Sequence, residues 1–448
     1  MPRTVWIDIS SSMNNIARRV SGIQRVELEV ALRLSEDLGV VFVRHDVARR
    51  RFVVVAEQEV RQRHRRLVDA PTASGLVPPA AARQSVVARV GSRVAAHVPD
   101  RFLPARLLRW GWVAEEQATK VSTSLHRLWS TSSRVLRRLL RVDGSVPRDR
   151  FPGGAAGDLF LCLTFHYEPS VFVELFAWIR ARRMESVFMI YDLIPSLAPQ
   201  YSTLDPAVFD ANIRAIAAGA SRLLTISECS ARDIEAFCDR ESLVRPPIDV
   251  LRLASAVTST VPRPPTTDRP LEDFVLCVGT IEPRKNHQLL LDVWEAFARE
   301  GVDDVPLLVI AGSPGWLNQE TMHRLHMTPE LRETVVLVDA PTDSELHWLY
   351  RHCEFTVFPS HYEGWGLPVT ESLDAGKVCI TTDRGSLTEA GEGLCVHLDP
   401  IDRSSWRDAI LDLHRDRERR ARLADEIGRT HVRRSMDDVV ADLRRIIG

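Results

Sequence analysis

Three observations predict two doubly wound α/β halves, each built on a parallel sheet covered by helices. Short apolar runs recur along the chain with amphipathic stretches between them. A segment rich in Pro, Thr and Ser, residues 254–272, separates those runs into two groups. Glycines and charged residues gather on the turns that follow the runs, where sheets of this kind bind ligands.

The second half is the clearer. FVLCVG (274–279), VPLLVIAG (305–312), TVVLVD (334–339), EFTVFPS (354–360) and KVCITT (377–382) predict buried parallel strands. HQLLLDVWEAFARE (287–300) and DSELHWLYRHC (343–353) carry apolar residues at helical spacing. In the first half, TVWIDIS (4–10), GDLFLCLTF (157–165), SVFMIYDLI (186–194) and RLLTISE (222–228) predict strands, and GIQRVELEVALRLSEDLG (22–39) a helix. Residues 51–150 fit this rhythm poorly. Their long Arg-rich patterns predict a helical insertion, with 19 Arg and Lys against 8 Asp and Glu.

At 448 residues the chain suits two domains of roughly 200 residues each. Its 45% hydrophobic and 26% charged content is that of a globular protein rather than a disordered one. A formal net charge of −2 argues against nucleic-acid binding through bulk charge. The seven cysteines are scattered, form no C-x-x-C pair, and mostly sit in apolar runs, as buried reduced thiols do. With neither a signal-peptide pattern nor an apolar run of spanning length, a cytoplasmic protein is expected. Interleaved Leu, Trp and Arg within 100–142 allow peripheral contact with an anionic membrane, or simply helices packed on the first domain with their arginines in solvent.

The sharpest chemical signal is FPSHYEGWGLPVTESLDAG (358–376). Gly364 and Gly366 allow a tight turn between a strand and a helix. Backbone N–H groups of Gly366 and Leu367 can then face a diphosphate at the helix N-terminus. Pro368 suits the first helical turn. Glu363, in the loop, and Glu371, one turn into the helix, would reach different parts of one ligand. An isolated pair of acids at this spacing is more often solvated; its setting after a strand and around glycines favours a site. A second signal is VGTIEPRKNH (278–287), where Arg284 and Lys285 lie at a helix start. Cations there oppose the helix dipole and call for another partner, such as a pyrophosphate. His166 can face the same cleft or be a structural histidine. No Asp-x-Asp triplet or zinc-spaced His or Cys pair occurs, and no metal is expected.

Together, VGTIEPRKN and PSHYEGWGLPVTESLDAG resemble the retaining GT-B glycosyltransferases of family four, most nearly the mannosyl- and rhamnosyl-type branch of bacterial polysaccharide assembly. The first-half segments SGIQRVELEVAL, VFMIYDLIPSLAPQY and LLTISECSARDI are similar to that branch as well. The resemblance implies two Rossmann-like domains facing a cleft. An N-terminal acceptor-side domain would span 1–253, with the insertion at about 51–150, and residues 254–272 would be a linker. The nucleotide-sugar domain would span 273–424, and a terminal helix in 425–448 would return to the first domain.

It also implies roles for single residues. Glu363 would hold hydroxyls of the transferred sugar and Glu371 the nucleotide ribose. Lys285 and Arg284 would bind the diphosphate, beside Gly279 and Thr280 of the same loop. Gly22 would let phosphate or acceptor approach the backbone, and Asp339 and Ala340 would meet the base. Thr280 and Tyr191 stand where many members carry Arg and His. The implied reaction is metal-independent transfer of a hexose, mannose from GDP-mannose first, to a glycan or lipid-linked glycan. Two other readings are a non-catalytic nucleotide-sugar-binding module and a different enzyme on this scaffold, such as an epimerase or phosphorylase.

Overall fold

The computed structural model describes residues 3–14, 22–68, 151–164, 169–255 and 261–448. The basic stretch 100–142 and His166 lie outside the described residues. Two largely parallel sheets organise the chain. The first runs β3-β2-β1-β4-β5-β6-β7, comprising β1 (Val5–Asp8), β2 (Val40–Asp46), β3 (Arg51–Val55), β4 (Leu159–Cys162), β5 (Glu185–Met189), β6 (Arg222–Thr225) and β7 (Ile248–Val250). The second runs β10-β9-β8-β11-β12-β13, comprising β8 (Phe274–Val278), β9 (Leu307–Ala311), β10 (Val335–Val338), β11 (Thr356–Phe358), β12 (Cys379–Thr382) and β13 (Val396–Leu398).

Both sheets are covered on two faces, and side-chain alternation divides their strands accordingly. In β1, Val5 and Ile7 enter one core with Leu159 and Leu161 of β4. Trp6 enters the other with Phe160 and Trp178. The second sheet repeats this. Val275 and Cys277 face the helix His287–Glu300, including Trp294, whereas Phe274 and Leu276 face Tyr350 of the helix Asp343–His352. A capping box starts that last helix: Glu345 N donates to Thr342 Oγ1, and Thr342 N to the Glu345 carboxylate.

Two boundaries differ from the sequence reading. β3 pairs antiparallel with β2, Phe42 facing Val55, and the helix Glu57–Val68 follows, so the start of the expected insertion belongs to the first sheet. The surface-edge pattern of β3, with Arg51 and Val54 exposed, hides it among the arginines. The helix Arg417–Thr430 straddles residue 425, and the chain crosses back only after it. There the helix Met436–Ile447 buries Val439, Val440, Leu443 and Ile447 in the first domain's core, and Arg444 pairs with Asp37.

In each sheet the strand order reverses at one point, between β1 and β4 and between β8 and β11. A crevice opens there at the carboxyl ends of the strands.

Candidate functional site

The loops after β8 and β11 flank the reversal in the second sheet, and they bring Arg284 and Lys285 onto Glu363. Lys285 Nζ lies 2.6 Å from Glu363 Oε1, and Arg284 Nη1 lies 2.6 Å from Oε2. Ser360 Oγ donates to Oε1 at 2.6 Å. Arg284 also pairs with Glu282 at 2.7 Å and donates to the Tyr362 carbonyl. The Lys285 ammonium stands 4.7 Å from the centre of the Phe358 ring. Burial alone would raise the Glu363 carboxyl, but the two cations and the Ser360 hydroxyl hold it down at about 2. The same carboxylates keep Arg284 firmly protonated against its own burial, and burial raises Glu282 above the usual carboxylate range.

Gly366 and Gly364 explain the glycine turn. Gly366 has φ 101° and precedes the helix Leu367–Asp374, with Pro368 in its first turn. A Cβ at Gly366 would stand 2.5 Å from Leu387. At Gly364 it would stand 2.9 Å from Asp192 Cβ, so the loop lies directly against the first domain. Other contacts tie the same segments. Tyr362 OH donates to Asp233 at 2.6 Å. The Glu389 carboxylate accepts from Glu228 N at 3.0 Å, at the start of the helix Glu228–Arg240.

Glu371 takes a different position from Glu363. It is buried, accepts a 2.7 Å hydrogen bond from Tyr350 OH, and lines a cavity of about 490 Å³ with His347, Arg351, Asp374, Lys377 and Arg433. Glu363, Arg284 and Lys285 are not among the residues lining that cavity. Gly279 and Thr280 form the turn after β8, where Gly279 N donates to Ala311 O. Asp339 and Ala340 follow β10, Ala340 with φ 51°. Gly22 begins the helix Gly22–Leu34.

Several polar groups were left without a role by the sequence reading. Ser360 and Glu282 bracket the ion-paired cluster. Asp192 abuts Gly364, and burial raises its carboxyl. In the first sheet's crevice, Glu27 is fully buried, accepts from Ser12 N at 2.8 Å and from Thr164 Oγ1, and is pushed up to about 8 by burial. Its place among Val26, Leu28 and Val30 was the available signal: a carboxylate inside an apolar stripe needs a partner. Among the described residues no group of three or more His, Cys, Asp or Glu is arranged to hold a metal ion, and no helix is long and apolar enough to cross a membrane.

Comparison with known proteins agrees with this architecture. The profile of the family "Glycosyl transferases group 1" matches residues 264–429. The chain is 28% identical over 236 residues to the serotype-specific mannosyltransferase WbdA of Escherichia coli, covering 49% of this chain and 28% of that protein. It is 29% identical over 115 residues to a GDP-mannose:cellobiosyl-diphosphopolyprenol alpha-mannosyltransferase of Xanthomonas oryzae, covering 25% and 30%. The chain thus spans less than a third of either relative. The crystal structure of Anabaena Alr3699/HepE in complex with UDP superposes with a TM-score of 0.57 at 13% identity, over 99% of both chains. The chain therefore has the GT-B fold, and its residues 264–429 match the glycosyl transferases group 1 family.

Proposed function

We propose that the protein transfers mannose from GDP-mannose to a glycan or lipid-linked glycan acceptor, with retention of configuration and without a metal ion. The observation that carries this reading is the pairing of Arg284 and Lys285 with one buried carboxylate, Glu363, beside the N-terminus of Leu367–Asp374. Two adjacent cations and a helix N-terminus suit a diphosphate, which brings about two negative charges. The mannosyltransferases among the relatives, one of them named for GDP-mannose and a diphosphopolyprenol acceptor, support the choice of sugar, base and acceptor.

On this reading the donor diphosphate takes over the cations that Glu363 neutralises, and Glu363 turns to hydroxyls of the sugar. Glu371 holds the ribose. As the bond from the sugar C1 to the β-phosphate oxygen breaks, Arg284 and Lys285 stabilise the charge that develops on the leaving phosphate. The acceptor oxygen bonds to C1 on the same face, and its proton passes to a phosphate oxygen. The protein contributes position and charge rather than a glycosidase-type acid and nucleophile.

NMR of the product formed from GDP-mannose in the presence of EDTA tests this. An α-linked mannoside is the expected product. A β-linked product overturns retention, loss of activity with EDTA overturns metal independence, and nucleotide binding without transfer favours the non-catalytic module.

A further inference from the structure

Beside the ion-paired cluster, three aromatic side chains meet across the two sheet domains. Tyr201, in the turn Pro199–Tyr201 beyond β5, stacks on His361, with ring centroids 5.1 Å apart and planes 4° from parallel. Trp316, in the loop beyond β9, donates its indole N–H to the Tyr201 carbonyl at 3.2 Å. Both second-domain residues are anchored to the Arg284 loop. His361 N donates to Arg284 O at 2.9 Å, and Gly315 N to Ile281 O at 3.0 Å.

Nothing in the donor reading uses these rings. Yet Trp316 keeps 37% of its surface exposed and the adjoining Leu317 59%. Leu317 also holds φ 51°, a left-handed backbone that a side chain other than glycine adopts only against steric strain. Strain of that kind persists where neighbouring structure imposes it, and it concentrates at ligand clamps. Burial lowers the His361 imidazole below its ordinary range, so the patch is neutral at pH 7. It presents flat apolar faces with a phenol hydroxyl and imidazole nitrogens at their edges.

We propose that Trp316, Tyr201 and His361 form a subsite for the terminal pyranose of the acceptor, a proposal that rests on the transferase reading above. A pyranose offers a C–H face to stack on a ring and a rim of hydroxyls for polar edges, and it is uncharged, as this patch is. A diphosphate is served by Arg284 and Lys285 instead. The rim's open surface lies within a few residues of those cations, where an incoming acceptor must approach the sugar.

The test is saturation-transfer NMR on the full chain with methyl α-D-mannopyranoside and methyl α-D-glucopyranoside, each with and without saturating GDP. Saturation of ring C–H protons is expected for at least one glycoside in the parent. Trp316→Ala should weaken it roughly tenfold, with partial recovery in Trp316→Phe. GDP affinity should stay within about twofold in both variants. No saturation of either glycoside under either condition overturns the subsite, as does saturation that survives Trp316→Ala. A loss of GDP affinity with unchanged glycoside binding overturns it in favour of base stacking. Binding of dodecyl phosphate alone overturns it in favour of a lipid surface. Failure of the parent to bind GDP is read in its own titration and counts against the donor reading instead.

Discussion

Glu363→Gln separates the charge of this carboxylate from its shape. In the parent, Glu363 is 7% exposed and neutralises two cations, each at 2.6 Å. Its carboxyl falls from 4.5 to about 2 in the folded protein. A depression of that size corresponds to about 3 kcal/mol of stability at pH 7. Breaking a buried pair by removing one partner gives the same order, about 3–5 kcal/mol. The folded state holds the carboxylate ionised, so this contribution is fully present above pH 4.5 and is lost as pH falls toward 2. Glutamine preserves the volume but leaves Arg284 with Glu282 alone and takes from Lys285 the carboxylate it pairs with. The variant should therefore lose about 3 kcal/mol in urea unfolding at pH 7 and lose the acid dependence over that window. It should also gain stability from GDP more steeply than the parent, because a diphosphate supplies the missing negative charge. A loss under about 0.5 kcal/mol, with GDP stabilising both proteins alike, would show that Glu363 does not neutralise these cations.

Two further outcomes follow from the same geometry. Glu27 is raised to about 8 from 4.5, so the folded state holds a proton that the unfolded chain releases. Stability should fall as pH rises from 4.5 through 8, and Glu27→Gln should flatten that slope in thermal unfolding scans across pH 5–9. An unchanged slope would count against a neutral Glu27. Gly312→Ala would place a Cβ 1.9 Å from the Gly279 carbonyl oxygen, where two backbone turns cross. Unfolding by denaturant should show a loss of about 3 kcal/mol or more, and near-parental stability would show that the β8 and β9 turns do not meet this closely.

Much of this architecture was legible in the sequence, for a physical reason. Strands buried on both faces read as continuous apolar runs, so β8 to β12 stand out between amphipathic helices. β7 and β13 are short and only half-buried, unlike the equally short but fully buried β11, and β3 is an edge strand with arginine and valine outward. The glycine turn and the adjacent cations were visible as local chemistry. Their closure on one carboxylate was not, because Lys285 and Glu363 are 78 residues apart and meet only through the pairing of β8 and β11. The approach of Asp192 to Gly364 was hidden for the same reason, since 172 residues of chain separate them. Glu27 was signalled only by its apolar neighbours Val26, Leu28 and Val30; its partners Ser12 and Thr164 come from other segments of the chain.

On the proposed donor reading, Arg284 and Lys285 hold the diphosphate of GDP-mannose. Calorimetric titration of GDP and GDP-mannose into the parent and Lys285→Ala tests it most directly. Removing one charge-assisted contact of about 1.5–3 kcal/mol should weaken both ligands roughly 10- to 150-fold while leaving the folded sheets intact by circular dichroism. Equal affinity in the two proteins, or no binding to the parent, would show that Lys285 does not hold the diphosphate.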